Sequence, residues 1–164
     1  ILWNTGFYGH IVFGGMALLT GWTQFSKKLR TNRVKLHRFL GKVYMASVFI
    51  SGICGIYIGF YATGGIISSM GFISLGIIWV SSTLMAFKSI RKKNIESHAD
   101  LMLISFAACF AAVTLRIWLT ILTSITGEFI IAYRIVAWLC WAPNLLAASI
   151  YLYSKRNKGA IQFK

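Results

Sequence analysis

Three histidines lie in or beside long apolar stretches of this 164-residue chain. His37 and His98 each begin an apolar stretch, and His10 lies early in the first one. An ionisable side chain in a membrane segment is costly, so it faces the bundle interior or the interface. Two neutral imidazoles on facing helices can supply the axial ligands of a b-type haem. We therefore take His37 and His98 as candidate haem-binding and metal-ligating residues, with His10 as an alternative ligand.

The surroundings of these histidines leave a second interpretation open. His37 lies within a cluster of basic residues, and Glu96 and Asp100 flank His98. In this interpretation each ring sits at the membrane interface, where water or lipid phosphate satisfies it. The helical face that carries His37 also carries Tyr44 and several glycines, which leaves room for a flat ligand. Tyr44 is therefore a candidate ligand-binding residue.

Arg116 is the second candidate ligand-binding residue. It follows His98 by 18 residues, which is five turns of a continuous helix, so both residues share one face. We expect Arg116 to point into the bundle and to form an outer polar layer with His10, Arg134 and Glu128. That layer would bind an anionic or lipid ligand, and Arg116→Leu would then destabilise the protein more than Arg134→Leu. The alternative is that both guanidinium groups reach the interface from near the helix ends.

The composition excludes an ordinary soluble domain. Hydrophobic residues make up 57% of the chain and charged residues 12%, whereas soluble domains have about 25% charged residues. The same hydrophobicity excludes a disordered chain. A net charge of +14 on a soluble protein would suggest nucleic acid, but here the basic residues separate apolar stretches, so we predict no nucleic-acid partner. The partners that we expect are the lipid bilayer, including anionic lipids, and a larger membrane complex.

The apolar runs predict an all-α integral membrane bundle with five transmembrane helices in a single domain over residues 1–164. A transmembrane helix needs about 20 apolar residues. The predicted spans lie at about 7–25, 39–61, 66–87, 99–122 and 129–153. We expect Pro143 to kink the fifth span, because proline removes a backbone donor.

The basic residues predict the orientation of this bundle. Fifteen of the 17 Lys and Arg residues lie in three segments, at 27–42, 88–93 and 155–164. In a five-span chain all three segments lie on one side, and the opposite connectors at about 62–65 and 123–128 contain none. The positive-inside rule then puts the N-terminus outside and the C-terminus in the cytoplasm.

Several short motifs resemble those of one family of bacterial predicted membrane proteins. They are HRFLGKVY at 37–44, HADLM at 98–102, AVTLR at 112–116 and the stretch GHIVFGGMALLTGWTQF at 9–25. The chain resembles the family of domain of unknown function 2306, although that family usually reads HRxWM where this chain has HADLM. The resemblance implies a multi-pass protein of the bacterial inner (cytoplasmic) membrane. Family members often carry a further N-terminal helix, and the sequence leaves open whether one precedes Ile1.

Function is predicted from the histidines, with the alternatives kept open. The leading hypothesis is b-type haem binding and transmembrane electron transfer. The alternative is a non-enzymatic carrier, or an accessory or structural subunit of a membrane complex, that binds an anionic or lipid ligand. The chain lacks the HExxH, Walker, GxGxxG and GxSxG motifs, and the sequence leaves open whether the protein is an enzyme.

Overall fold

A computed structural model describes the backbone of residues 1–161 and the side chains of residues 1–157. Lys164 of the predicted basic tail lies outside the described residues. All regular elements of the described chain are helical, and none is a strand. The elements are α1 (Leu2–Gly21), a 3-10 turn (Trp22–Phe25), α2 (Lys27–Asn32), α3 (Val34–Gly59), α4 (Ile66–Arg91), α5 (Ile95–Cys109), α6 (Ala111–Thr126), α7 (Phe129–Leu139) and α8 (Ala142–Ile161).

Local sequence explains where several helices begin and end. Ser26 and Asn94 cap α2 and α5, because each side-chain oxygen accepts a hydrogen bond from a backbone N–H three residues later. Gly64 and Gly65 have positive φ angles of 96° and 76° in the turn between α3 and α4. Gly127 ends α6 with a φ of 68°, a conformation that glycine adopts without steric cost.

The helices run antiparallel along one bundle. Gly9 of α1 faces Cys54 of α3, and Gly21 faces Tyr44, so α1 lies along α3 in the opposite direction. Helix α4 packs between α3 and α5, α6 pairs with α7, and α8 returns beside α5. We call the end with the 60–65 turn the turn end. The other end carries the basic segments 26–33 and 88–94, and we call it the basic end.

Within the described residues, four helical segments are long and apolar enough to cross a membrane. They are Val34–Gly59, Ile66–Arg91, Ile95–Thr126 and Phe129–Asn157. Helix α1 is not among them, because Asn4, Thr5 and His10 lower its mean hydropathy. The predicted count of five spans is therefore not confirmed, although the four later spans match the predicted positions.

Many of the buried side chains are small and several are polar, whereas many of the exposed side chains are large and apolar. The fully buried side chains include Ser51, Ser68, Ser105 and Thr83, together with several alanines. Many large apolar side chains are exposed, among them Ile53, which is 62% exposed. Small buried residues let membrane helices approach closely, and lipid solvates an apolar exterior. The chain is therefore a membrane protein with several apolar helices.

The last two predicted spans are both interrupted. The fourth is divided at Phe110 into α5 and α6, and the fifth is divided at 140–141 into α7 and α8. Pro143 lies in the first turn of α8, where its missing N–H costs no hydrogen bond. The expected disruption near Pro143 is thus present, and the interruption at Phe110 was not predicted.

Candidate functional site

The contact between α1 and α3 fixes the position of His10. His10 Nδ1 lies 3.0 Å from the carbonyl oxygen of Ser51, and the Ser51 hydroxyl donates to the carbonyl oxygen of His10 at 2.8 Å. Gly14 allows this approach, because a Cβ there would lie 3.1 Å from Ser51 Oγ. A Cβ on Gly55 would lie only 2.8 Å from His10 Nδ1, so a glycine makes room for the ring.

A cavity of about 300 Å³ lies beside His10 in the turn-end half of the bundle. Five glycines form part of its wall: Gly14, Gly52, Gly55, Gly59 and Gly76. Aromatic side chains contribute another part: Trp3, Phe7, Tyr61, Phe72, Trp79 and Tyr133. His10 lines the cavity, whereas no Asp, Glu, Lys or Arg of the described chain does. The lining therefore suits a neutral and largely apolar molecule.

A closed set of hydrogen bonds lies next to this cavity, at the centre of the bundle. Trp79 Nε1 donates to Tyr44 Oη at 3.4 Å, and Tyr44 Oη lies 2.7 Å from Ser105 Oγ. Ser105 Oγ lies 2.6 Å from Thr83 Oγ1, which donates to the Trp79 carbonyl at 2.8 Å. If each hydroxyl donates once and accepts once, the ring of bonds is complete. We call these four residues the Tyr44 network.

Tyr44, a predicted ligand-binding residue, is thus fully buried and bonded to other side chains. It does not line the cavity. Trp79, its hydrogen-bond donor, does line the cavity. Tyr44 therefore supports the cavity through Trp79 and does not reach a ligand there.

His37 and His98 lie towards the basic end and away from the cavity. His98 Nδ1 lies 2.9 Å from the carbonyl oxygen of Ala86, and it must be the donor because a carbonyl only accepts. His37 Nδ1 is buried and has no hydrogen-bond partner in the described part of the chain.

Arg116 does not point into the bundle as we expected. Its side chain is exposed, and Nη1 donates to the Ala112 carbonyl of its own helix. Arg134 makes the long-range contact instead, since its Nε donates to the Gly64 carbonyl at 2.8 Å. Glu128 is also exposed, so these groups form no buried polar layer with His10.

Asp100 holds the end of α8 against α5. Its carboxylate is buried, and its two oxygens accept from Lys155 Nζ at 3.0 Å and Arg156 Nη2 at 3.1 Å. Both cationic side chains are more than 40% exposed. Asp100 of the HADLM motif therefore has two cationic partners at the basic end.

The two helix interruptions are joined by one polar side chain. Asn144 Nδ2 donates to Thr114 Oγ1 at 3.1 Å and to the Cys140 carbonyl at 3.0 Å. The Thr114 hydroxyl also donates to the Cys140 carbonyl, which the interruption between α7 and α8 leaves accessible. Cys109 and Ala111, on either side of the other interruption, both line the cavity.

The described residues contain no group of three His, Cys, Asp or Glu side chains arranged to hold a metal ion. His98 has a feature that suits a haem ligand, because its Nδ1 bond to a carbonyl leaves Nε2 as the free lone pair. His37 lacks such an orienting bond, and the cavity contains neither residue. The residues present therefore fit one axial ligand better than two.

Sequence reasoning assigned no role to Ser51, Trp79, Ser105 or Asn144. Ser51 follows Tyr44 by seven residues, and Ser105 follows His98 by seven, so both lie on the helical faces already chosen for the histidines. Asn144 stands directly after Pro143 in an apolar run. An uncharged polar side chain there is a usable sign of an interrupted helix, because freed carbonyls need a donor.

Comparison with known proteins identifies the family and nothing closer. The sequence model of the family described as predicted membrane protein, DUF2306, matches residues 7–152. This match covers most of the chain and confirms the resemblance seen in its motifs. No curated protein and no solved structure matches the chain.

Proposed function

The chain belongs to the DUF2306 family of predicted membrane proteins, and on that premise we propose that it binds a neutral, lipid-soluble small molecule in the turn-end cavity. The observation that carries this proposal is the cavity itself, whose lining is largely apolar. Its ionisable side chains are His10, Cys109, Tyr61 and Tyr133. Ligand sites are typically concave and mostly apolar, with a few polar groups that orient the ligand. The role is that of a carrier or accessory subunit.

The interrupted helices support this proposal. Irregular backbone at membrane depth is tolerated where it is buried or lines a cavity, and discontinuous helices often flank the binding sites of transporters. Here Cys109, Ala111 and Ala112 bring the interruption at Phe110 to the cavity wall.

Topology belongs to the same proposal. We infer that α1 is the fifth membrane span, because it lies along α3 over the length of the bundle. The basic end then faces the cytoplasm of a bacterial inner membrane, where anionic lipids meet its Lys and Arg side chains. Cysteine labelling from outside should modify position 63 and spare position 31. The reverse pattern would overturn this orientation.

Binding of 2-methoxynaphthalene to the protein in lipid nanodiscs tests the proposed function. Equilibrium dialysis should give a saturable component above that of empty nanodiscs. Ala112→Phe fills the cavity and should remove this component, whereas Ala147→Phe, a matched change at an exposed position of α8, should retain it. The proposal would be refuted if both variants still bind the probe, or if the unaltered protein shows no saturable binding.

Haem b remains a second candidate, favoured by the free Nε2 of His98. His98 would hold the iron, and bound haem would supply electron transfer. The visible spectrum of protein expressed with haem precursors tests it. A low-spin haem spectrum that His98→Ala abolishes would support binding, and a protein without visible absorbance would exclude it.

A further inference from the structure

The hydrogen bonds of His10 determine which of its ring nitrogens carries the proton. The carbonyl oxygen of Ser51 accepts only, so His10 Nδ1 must donate across the 3.0 Å that separates them. The Ser51 hydroxyl uses its hydrogen on the carbonyl oxygen of His10, so its oxygen can only accept from Nδ1 at 3.2 Å. In its neutral form the ring therefore carries its proton on Nδ1, and Nε2 presents a lone pair.

This lone pair is a hydrogen-bond acceptor without a partner. The described chain contains no hydrogen bond to His10 Nε2, and His10 lines the cavity. The other side-chain donors of the lining include Trp79 Nε1, which is bonded to Tyr44, and the hydroxyls of Tyr61, Thr63 and Tyr133, and none of these groups donates to His10 in the described chain. A ligand that satisfies His10 must consequently bring a donor of its own.

The shape of the cavity restricts the rest of the ligand. Its glycines lack side chains, so part of the wall is bare backbone, and aromatic rings form another part. Aromatic side chains favour flat partners that stack or meet them edge to face. A volume of about 300 Å³ is at the lower limit for small-molecule pockets, so it accommodates a small ring system.

We propose that the turn-end cavity takes a planar, lipid-soluble alcohol or phenol whose hydroxyl donates a hydrogen bond to His10 Nε2. The inference rests on the proposed function and names the ligand class of the same site. Anionic ligands are disfavoured there, because the lining has no Lys or Arg to balance their charge.

A matched pair of probes tests the hydroxyl requirement. 2-Naphthol and 2-methoxynaphthalene share one ring system, but only the first has a donor. After correction for partition into empty nanodiscs, the unaltered protein should bind 2-naphthol about fivefold more tightly than the ether. In His10→Phe this preference should disappear while binding of the ether persists.

The possible failures are distinguishable. Absence of saturable binding of either probe, or binding that Ala112→Phe leaves intact, refutes the proposed function. Binding of both probes with equal affinity, and loss of both in Ala112→Phe, refutes the hydroxyl requirement alone. An unchanged preference for 2-naphthol in His10→Phe also refutes the role of His10.

Nitrogen-15 NMR of the histidine side chains gives a second test. Its main result is measured on the unaltered protein. His10 Nε2 should have the resonance of an unprotonated nitrogen, which 2-naphthol shifts and 2-methoxynaphthalene does not. The histidine signal that persists in both His37→Ala and His98→Ala is assigned to His10, because the chain has three histidines. A neutral His10 with its proton on Nε2 would overturn the inference.

Discussion

His10 and Ser51 bind each other reciprocally across α1 and α3. The imidazole donates to the Ser51 carbonyl at 3.0 Å, and the Ser51 hydroxyl donates to the His10 carbonyl at 2.8 Å. His98 also donates through Nδ1 to a backbone carbonyl of a neighbouring helix, that of Ala86 in α4. Two of the three histidines thus have their tautomer set by a neighbouring helix, which leaves each Nε2 as the acceptor.

Gly55 is expected to be essential for the placement of His10. Gly55→Ala should lower the thermal stability in detergent, because its Cβ would meet His10 Nδ1 at 2.8 Å. We expect a loss of about 1–3 kcal/mol, typical of overpacking. Gly15→Ala is the control, since its Cβ meets nothing within 4 Å and alanine favours the helix. Equal melting temperatures for the two variants would contradict this prediction.

Tyr44→Phe should destabilise the protein by opening the Tyr44 network. The change removes the acceptor of Trp79 Nε1 and one partner of Ser105 Oγ, both in the buried core. The expected cost is about 1–2 kcal/mol, measured by unfolding in detergent. Tyr8→Phe removes a hydroxyl from an exposed tyrosine and should have little effect. A Tyr44→Phe variant as stable as Tyr8→Phe would show that the network contributes no stability.

Asp100→Asn should loosen α8 from α5. Lys155 and Arg156 would each lose the ion pair with the buried carboxylate. We expect the free energy of unfolding to fall by about 1–3 kcal/mol. High salt should reduce the difference in stability between Asp100→Asn and the unaltered protein, because both cations are partly exposed. Glu96→Gln removes an exposed carboxylate that makes no ion pair in the described chain, so it serves as the control. Hydrogen exchange of the α8 backbone should rise in Asp100→Asn alone.

Arg134→Leu should destabilise the protein more than Arg116→Leu. Arg134 joins α7 to the turn before α4 through the Gly64 carbonyl, whereas Arg116 bonds only within α6. This order reverses the one that the sequence suggested. The difference should be about 1 kcal/mol, the net value of a typical hydrogen bond, because solvent exposure screens the charge of Arg134. Thermal unfolding of both variants in the same detergent decides between the two orders.

The amino-acid sequence alone was sufficient for the class of fold and the family. Apolar runs separated by basic connectors predicted a helical membrane protein, and four of the predicted spans coincide with helices long enough to cross a bilayer. These features are local, because a membrane helix satisfies its own backbone and must be apolar along its length. The motif at 37–44 and its companions identified the family for the same reason, since they are short and contiguous.

Only the tertiary structure decided which polar groups meet. His10 and Ser51 are 41 residues apart, and Asp100 and Arg156 are 56 apart, so no local pattern reports either contact. Periodicity places a residue on one face of its own helix, but it does not show which neighbouring helix covers that residue. The expectation for Arg116 was wrong for this reason, because its side chain is exposed and its Nη1 donates to a carbonyl of its own helix. The interrupted helices and the cavity beside them depend on how the segments pack against one another. The sequence of a single helix does not specify that packing.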